Sequence, residues 1–134
     1  MTNEDSKTIV RRFYESYNTK DLDTSFDQFI SPNLVNHAMG GQLTRESWRE
    51  GDKTFFPAFP DFAMHVDDQI GEGDKVATHW SITGTQQGSF FGVAPTGKKF
   101  KMTAITIDRV ADGKIVEHWI KSDFGAVMQS LSAK

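Results

Sequence analysis

Apolar residues change their spacing once along this chain, at Phe62, and that change fixes the fold class. Upstream, Ile9, Val10, Phe13, Tyr14 and Tyr17 recur at helical spacing and form one stripe, with Asn3 as a candidate cap. Leu22, Phe26, Phe29 and Ile30 form a second stripe behind Asp21. "SPN" (31–33) ends it, because proline and the residue before it resist helix. "LVNHAMGG" (34–41) reads as a short extended piece entering a glycine-rich turn. Thr44 then caps a third helix carrying Trp48, Phe55 and Phe56, stopped by "PAFPDF".

Downstream of Phe62 the period is two. "FAMHVDDQI" and "KVATHWSITGT" flank the turn "GEGD" (71–74), and "FKMTAITIDRV" and "KIVEHWIKS" flank "ADG" (111–113). Asp-Gly between alternating segments is a strong hairpin signal. "QQGSFFGVAPTGKK" is a loop, and Phe124, Val127, Met128 and Leu131 give a last short helix. Helices followed by a bent antiparallel sheet predict a segregated α+β fold, and 134 residues without linker or repeat predict one domain.

Charge and composition exclude several function classes. A net charge of −3 with scattered Lys and Arg leaves no basic face for nucleic acid. Cysteine is absent, which removes disulfides, thiol nucleophiles and thiolate metal sites. The polar start "MTNEDSKTIV" is unlike a signal peptide, and no apolar run reaches the ~20 residues of a membrane span. A cytoplasmic protein is the expectation. "GEGDK" has the wrong spacing for a phosphate loop. His65 opposite His79 would make at most two metal ligands, so no metal site is expected.

The order "RRFYESYNTKDLD", "FPDF", "GEGDKVATHWSITGTQQGSFFGVAPTGKKF" and "DGKIVEHWIKSD" spans nearly the whole chain. It resembles the SnoaL-like polyketide cyclase group of the nuclear-transport-factor-2-like superfamily. The resemblance implies a cone-shaped barrel, in which a curved sheet wraps the helices around one deep apolar pocket. It also implies pairing of two chains through their sheets as a homodimer. The chemistry implied is intramolecular aldol condensation on a hydrophobic carbonyl compound without metal or organic cofactor. An Asp at the end of the last strand serves as its acid/base, and Asp123 occupies the matching place.

An aldol closure needs a base for a carbon-bound proton and an acid for the new alkoxide. An apolar setting raises a carboxyl pKa because the charged form loses hydration. Phe13, Phe59, Trp80 and Trp119 are candidates to wall that setting, with Trp48 and Tyr14 from the helices as further ligand contacts. His37 resembles the family's pocket histidine. His79 faces the pocket if Trp80 faces away. His118 and Trp119 point to opposite faces; the family pattern turns Trp119 inward, and a bulge in that strand would reverse this.

Plainer readings stand beside these. Asp123 precedes an apolar helix, where Asp is a favoured N-cap. His37 can fasten a turn, His79 can be an ordinary sheet histidine, and Tyr14 can be core. Arg109 and Glu117, near-neighbours across the hairpin, suggest a surface ion pair. The function classes left open are a small cofactor-free cyclase or isomerase, and a non-catalytic binder of an apolar small molecule. A ketosteroid-isomerase-like enzyme is a third, but "NHAMGG" stands where that chemistry needs a carboxylate. An epoxide-hydrolase-like Asp–Arg–Asp set lacks a second placed Asp.

Overall fold

The computed structural model describes residues 2–38 and 43–133. The glycine-rich turn expected at 39–41 lies outside the described residues. Helix α1, Asn3–Glu15, is capped not by Asn3 but by Thr2, whose hydroxyl and backbone N–H exchange hydrogen bonds with Asp5. A single 3₁₀ turn, Ser16–Thr19, leads to α2, Leu22–Phe29, which Asp21 caps as expected.

Strand β1 follows at once, Ile30–Asn36, so "SPN" lies inside a strand rather than in a helix stop. Proline is tolerated there because β1 is an edge strand and Pro32 falls where its register with β5 shifts. The expected third helix is two pieces: α3, Arg45–Lys53, capped by Thr44, and the single turn α4, Phe55–Ala58. The remaining elements are β2 (Ala63–Glu72), β3 (Lys75–Thr85), β4 (Lys99–Ala111), β5 (Lys114–Ser122) and α5 (Phe124–Ser132).

The five strands form one curled, open sheet in the order β1-β5-β4-β3-β2. β2 to β5 pair antiparallel, and β1 joins β5 in parallel, which makes the sheet mixed. Asp112 and Gly113, both at positive φ (52° and 80°), form the tight β4–β5 turn that Asp-Gly favours. His65 pairs with Ser81 while His79 pairs with Asp68, so the register separates those two histidines.

Two bulges decide which residues face the helices. Between the pairs Val66–Trp80 and Asp68–His79, β2 carries one extra residue, Asp67. Between Arg109–Glu117 and Val110–Ile115, β5 carries one extra residue, Val116. An extra residue shifts the period-two pattern by one, so every later side chain changes face. Ile115 and His118 are therefore both buried, and Trp119 turns outward.

The inner face of the sheet packs against α1 to α4. Phe13 is the centre of this core: its ring meets Tyr17, Phe26 and Trp48 edge-on at 5.4–5.6 Å. Edge-to-face packing of this kind adds to the hydrophobic gain of each buried ring. Among the described residues no helix is long and apolar enough to cross a membrane.

Candidate functional site

Between α3, the inner face of β3 to β5 and the start of α5 lies a cavity of about 390 Å³. Trp48, Phe55, Phe62, Met64, Trp80 and Phe91 give it apolar walls. Its polar groups are few: Asn36, Tyr17, Asp52, His118 and Ser122. This is the composition of a small-molecule site, apolar with a few placed polar atoms. A larger cleft, about 800 Å³, lies between α1 and the hairpin turns, lined by Asn3, Ser6, Gly73 and Asp112, and it has no buried ionisable pair.

Alternation along β4 carries Met102, Ala104, Thr106, Asp108 and Val110 inward, which puts a carboxylate in the core register. Asp108 is 0% exposed. It accepts from the Tyr14 hydroxyl at 2.7 Å, and its other oxygen lies 2.6 Å from His118 Nδ1. A buried carboxylate needs such partners. The carboxylate favours the proton on Nδ1, which leaves Nε2 as the free ring nitrogen. Among the described residues the hydrogen bond of this ring is made through Nδ1.

Trp48 joins this pair to a second carboxyl group. Its indole stacks on the His118 ring at 4.3 Å, and its Nε1 donates to Asp52 Oδ2 at 3.0 Å. Trp48 and Asp52 are four residues apart on α3, hence on one face. The same oxygen accepts from the Tyr17 hydroxyl at 2.5 Å. Burial among these rings pushes the Asp52 pKa up to about 6, against the opposing pull of the Tyr17 and Trp48 hydrogen bonds and the nearby His118. Burial likewise holds Tyr14 and Tyr17 well above the ordinary phenol value, helped by Asp108 and Asp52 respectively, so both remain donors.

The residues singled out by sequence fall in five places. Trp48 lines the cavity. Tyr14 lies behind it, as the partner of Asp108. Phe13 and Phe59 are wholly buried core; Phe59 stacks on Phe100 at 4.0 Å and neither reaches the cavity.

His37, His79 and Trp119 sit on the other side of the sheet. Trp80 faces in, so His79 faces out and is exposed. His37 stacks on Trp119 at 4.7 Å and bonds Glu117 at 2.7 Å, and Glu117 also accepts from Arg109 at 2.9 Å. These two partners hold the Glu117 pKa below its ordinary value, the His37 bond most of all.

Asp123 is exposed between two cavity-lining neighbours, Ser122 and Phe124. It stands at the N-cap position of α5 but makes no side-chain cap bond. Its carboxylate instead accepts from Thr103 N (2.9 Å) and Oγ1 (3.2 Å), fastening the end of β5 to β4. Asp52, Asp108 and Asn36 were not singled out as candidates from sequence, and His118 faces the cavity through the bulge that would reverse its strand. Two of them left a signal: Asp108 in the inward register of β4, and Asp52 one turn after Trp48.

The loop 86–98 contributes Phe91 to the cavity wall. Gln86, 0% exposed, donates through Nε2 to the carbonyls of Gly88, Val93 and Ala94, and accepts from Thr96 through Oε1. At the tip, Phe91 holds φ +46° and meets Phe124 edge-on at 5.4 Å. Among the described residues no group of three His, Cys, Asp or Glu side chains is placed to hold a metal ion.

Comparison with known proteins agrees with this architecture. The pattern of the SnoaL-like polyketide cyclase family matches residues 7–131. IdmH from Streptomyces antibioticus, a proposed polyketide cyclase, is similar at 35% identity and TM-score 0.80, over 96% of this chain and 99% of that one. AclR from Streptomyces galilaeus, a proposed hydroxylase, is similar at 27% identity and TM-score 0.87, over 97% of both chains. A proposed SnoaL-like polyketide cyclase from Jannaschia sp. CCS1 shares the fold at 24% identity and TM-score 0.85, over 98% of this chain and 94% of that one. No curated protein matches the chain.

Proposed function

Because the chain belongs to the SnoaL-like polyketide cyclase family, we propose that it closes a ring in a hydrophobic carbonyl compound by intramolecular aldol condensation, with His118 as base and Asp52 as acid. The observation that carries this is the pairing, in one apolar cavity, of a carboxylate-held imidazole with a carboxyl group whose pKa is pushed up to about 6. An imidazole held by a carboxylate, beside a carboxyl group whose charged form burial disfavours, supplies the base and the acid that an aldol closure needs.

In this reading His118 Nε2 takes a proton from the carbon beside one carbonyl, and the electron pair left behind forms an enolate. The enolate carbon attacks a second carbonyl carbon. A carbon–carbon bond forms, the carbonyl π pair moves to oxygen, and Asp52 protonates that oxygen. Asp108 stabilises the imidazolium left on His118, and water returns its proton to the Asp52 carboxylate. No redox partner is needed, since the sequence only moves protons and one carbon–carbon bond. Asp123, which the family resemblance nominates, is already engaged by Thr103.

The base is tested without knowing the natural substrate. Wild-type protein is expected to speed deuterium uptake from D₂O into the α-carbon of an aryl β-keto ester, followed by NMR. His118→Ala is expected to lose about 10²–10⁴-fold of that rate. Exchange no faster than in buffer would leave a non-catalytic binder as the better reading.

The outer face of the sheet supports pairing with a second copy of the chain. Ile70 on β2 and Ile105 and Ile107 on β4, with Ala77 of β3 between them, are 69%, 56% and 40% exposed there, an apolar patch beside Trp119. Contiguous exposed apolar surface of this kind marks an interface. Ile105→Lys is expected to shift sedimentation from dimer to monomer; identical sedimentation of the two proteins would rule the patch out.

A further inference from the structure

We infer that Asn36 is the oxyanion donor of this site, holding the enolisable ketone oxygen of the substrate beside His118. The inference rests on the acid/base reading above and adds to it which carbonyl binds where.

Asn36 ends β1 and is 2% exposed on the cavity wall. Its amide orientation is fixed: the oxygen accepts from Ala38 N–H at 2.8 Å, so the nitrogen is the other atom. That nitrogen, Nδ2, is buried with no hydrogen-bond partner among the described residues. An orphaned buried donor costs stability, and such a group in a native structure calls for a reason. Here the reason is its neighbour. The parallel pairing of β1 and β5 sets Asn36 directly opposite His118, and both side chains are on the inner face.

A proton removed by His118 leaves negative charge on the oxygen of the same carbonyl. That oxygen lies within a bond or two of the reacting carbon, so its donor must stand close to the base. Asn36 meets this requirement, whereas Asp52 approaches from α3 and suits the second carbonyl. Donors fixed in advance where charge develops are usually the largest single contribution to catalysis. Trp80 Nε1 is also unpartnered, but it lies on β3, two strands from His118. The substrate class follows: a compound with an enolisable ketone at one end of an apolar body and a second carbonyl within ring-closing reach.

The test is a matched pair of ligands, an acetylnaphthalene and its isopropenyl isostere, which differ in one acceptor atom. Binding is read by quenching of the cavity tryptophans. Wild-type protein is expected to prefer the ketone, and Asn36→Leu to lower its affinity about tenfold, as for one buried hydrogen bond, while the alkene affinity stays unchanged. Asn36→Asp keeps an acceptor for Ala38 N–H and is expected to lose the same preference. Because the ratio of two ligands is read, a smaller folded fraction cancels. Equal losses for both ligands, an unaltered ratio, or no ketone preference in wild type would overturn the assignment. Failure of the acid/base reading shows elsewhere, as unchanged α-carbon exchange in His118→Ala.

Discussion

Asp52→Asn is expected to lose ring closure and, above about pH 6, to gain stability. The carboxyl pKa is about 6 in the fold and 3.8 in the unfolded reference. A raised folded value favours the protonated native state. The stabilisation is complete below about pH 4 and is lost as pH rises through about 6. Asparagine has no such proton to lose. The stability gap between variant and wild type should therefore grow by about 2–3 kcal/mol between about pH 4 and about pH 7, then level off. Urea unfolding at several pH values reads this directly. Ring closure of a diketone should fall by about 10²–10⁴-fold, while deuterium exchange beside its first carbonyl falls much less. A gap that does not change with pH would mean that Asp52 ionises as an ordinary carboxyl, and the acid role would go with it.

Asp108 is the second position where a large effect is expected. Asp108→Ala strips two buried donors, the Tyr14 hydroxyl and His118 Nδ1, of the carboxylate they share and should cost about 3–5 kcal/mol. Asp108→Asn keeps the volume but cannot accept from both, nor stabilise an imidazolium. It should fold with a smaller loss and show exchange slowed by about 10²–10⁴-fold. Tyr14→Phe separates positioning from packing, since it removes one hydrogen bond to Asp108 and leaves His118 held. Its exchange rate should stay within about tenfold of wild type. A Tyr14→Phe variant as slow as Asp108→Asn would show that the whole cluster acts only by keeping the core in shape.

The fold was legible because its signals are local. Period-two alternation, Asp-Gly at 112–113 and the caps at Asp21 and Thr44 each report on their own neighbourhood. The site was less so, because its residues depend on parity. One added residue, Val116, exchanges His118 for Trp119 on the inner face, and no residue type in "KIVEHWIKS" announces it. Trp80 had the same ambiguity with His79, and only the packing of the indole against Tyr14 resolves it. Asp123 stood at a true strand–helix junction, yet the partner that engages it is Thr103, a pairing that sequence proximity does not reveal. Asp108 was the most readable of the missed residues, being a charge in line with Met102, Ala104 and Val110.

The pairing of β1 with β5 has a consequence in time as well as space. It joins the first strand to the last, skipping the three between them in sequence, and long-range contacts of this kind form late because loop closure precedes them. Asn36 and His118 meet through that pairing alone. A chain still emerging from the ribosome, or one truncated before residue 118, has the cavity-facing aromatics but no reactive corner. Chemical competence would thus arrive with the final strand, which makes α-carbon exchange a reporter of completed folding as well as of catalysis.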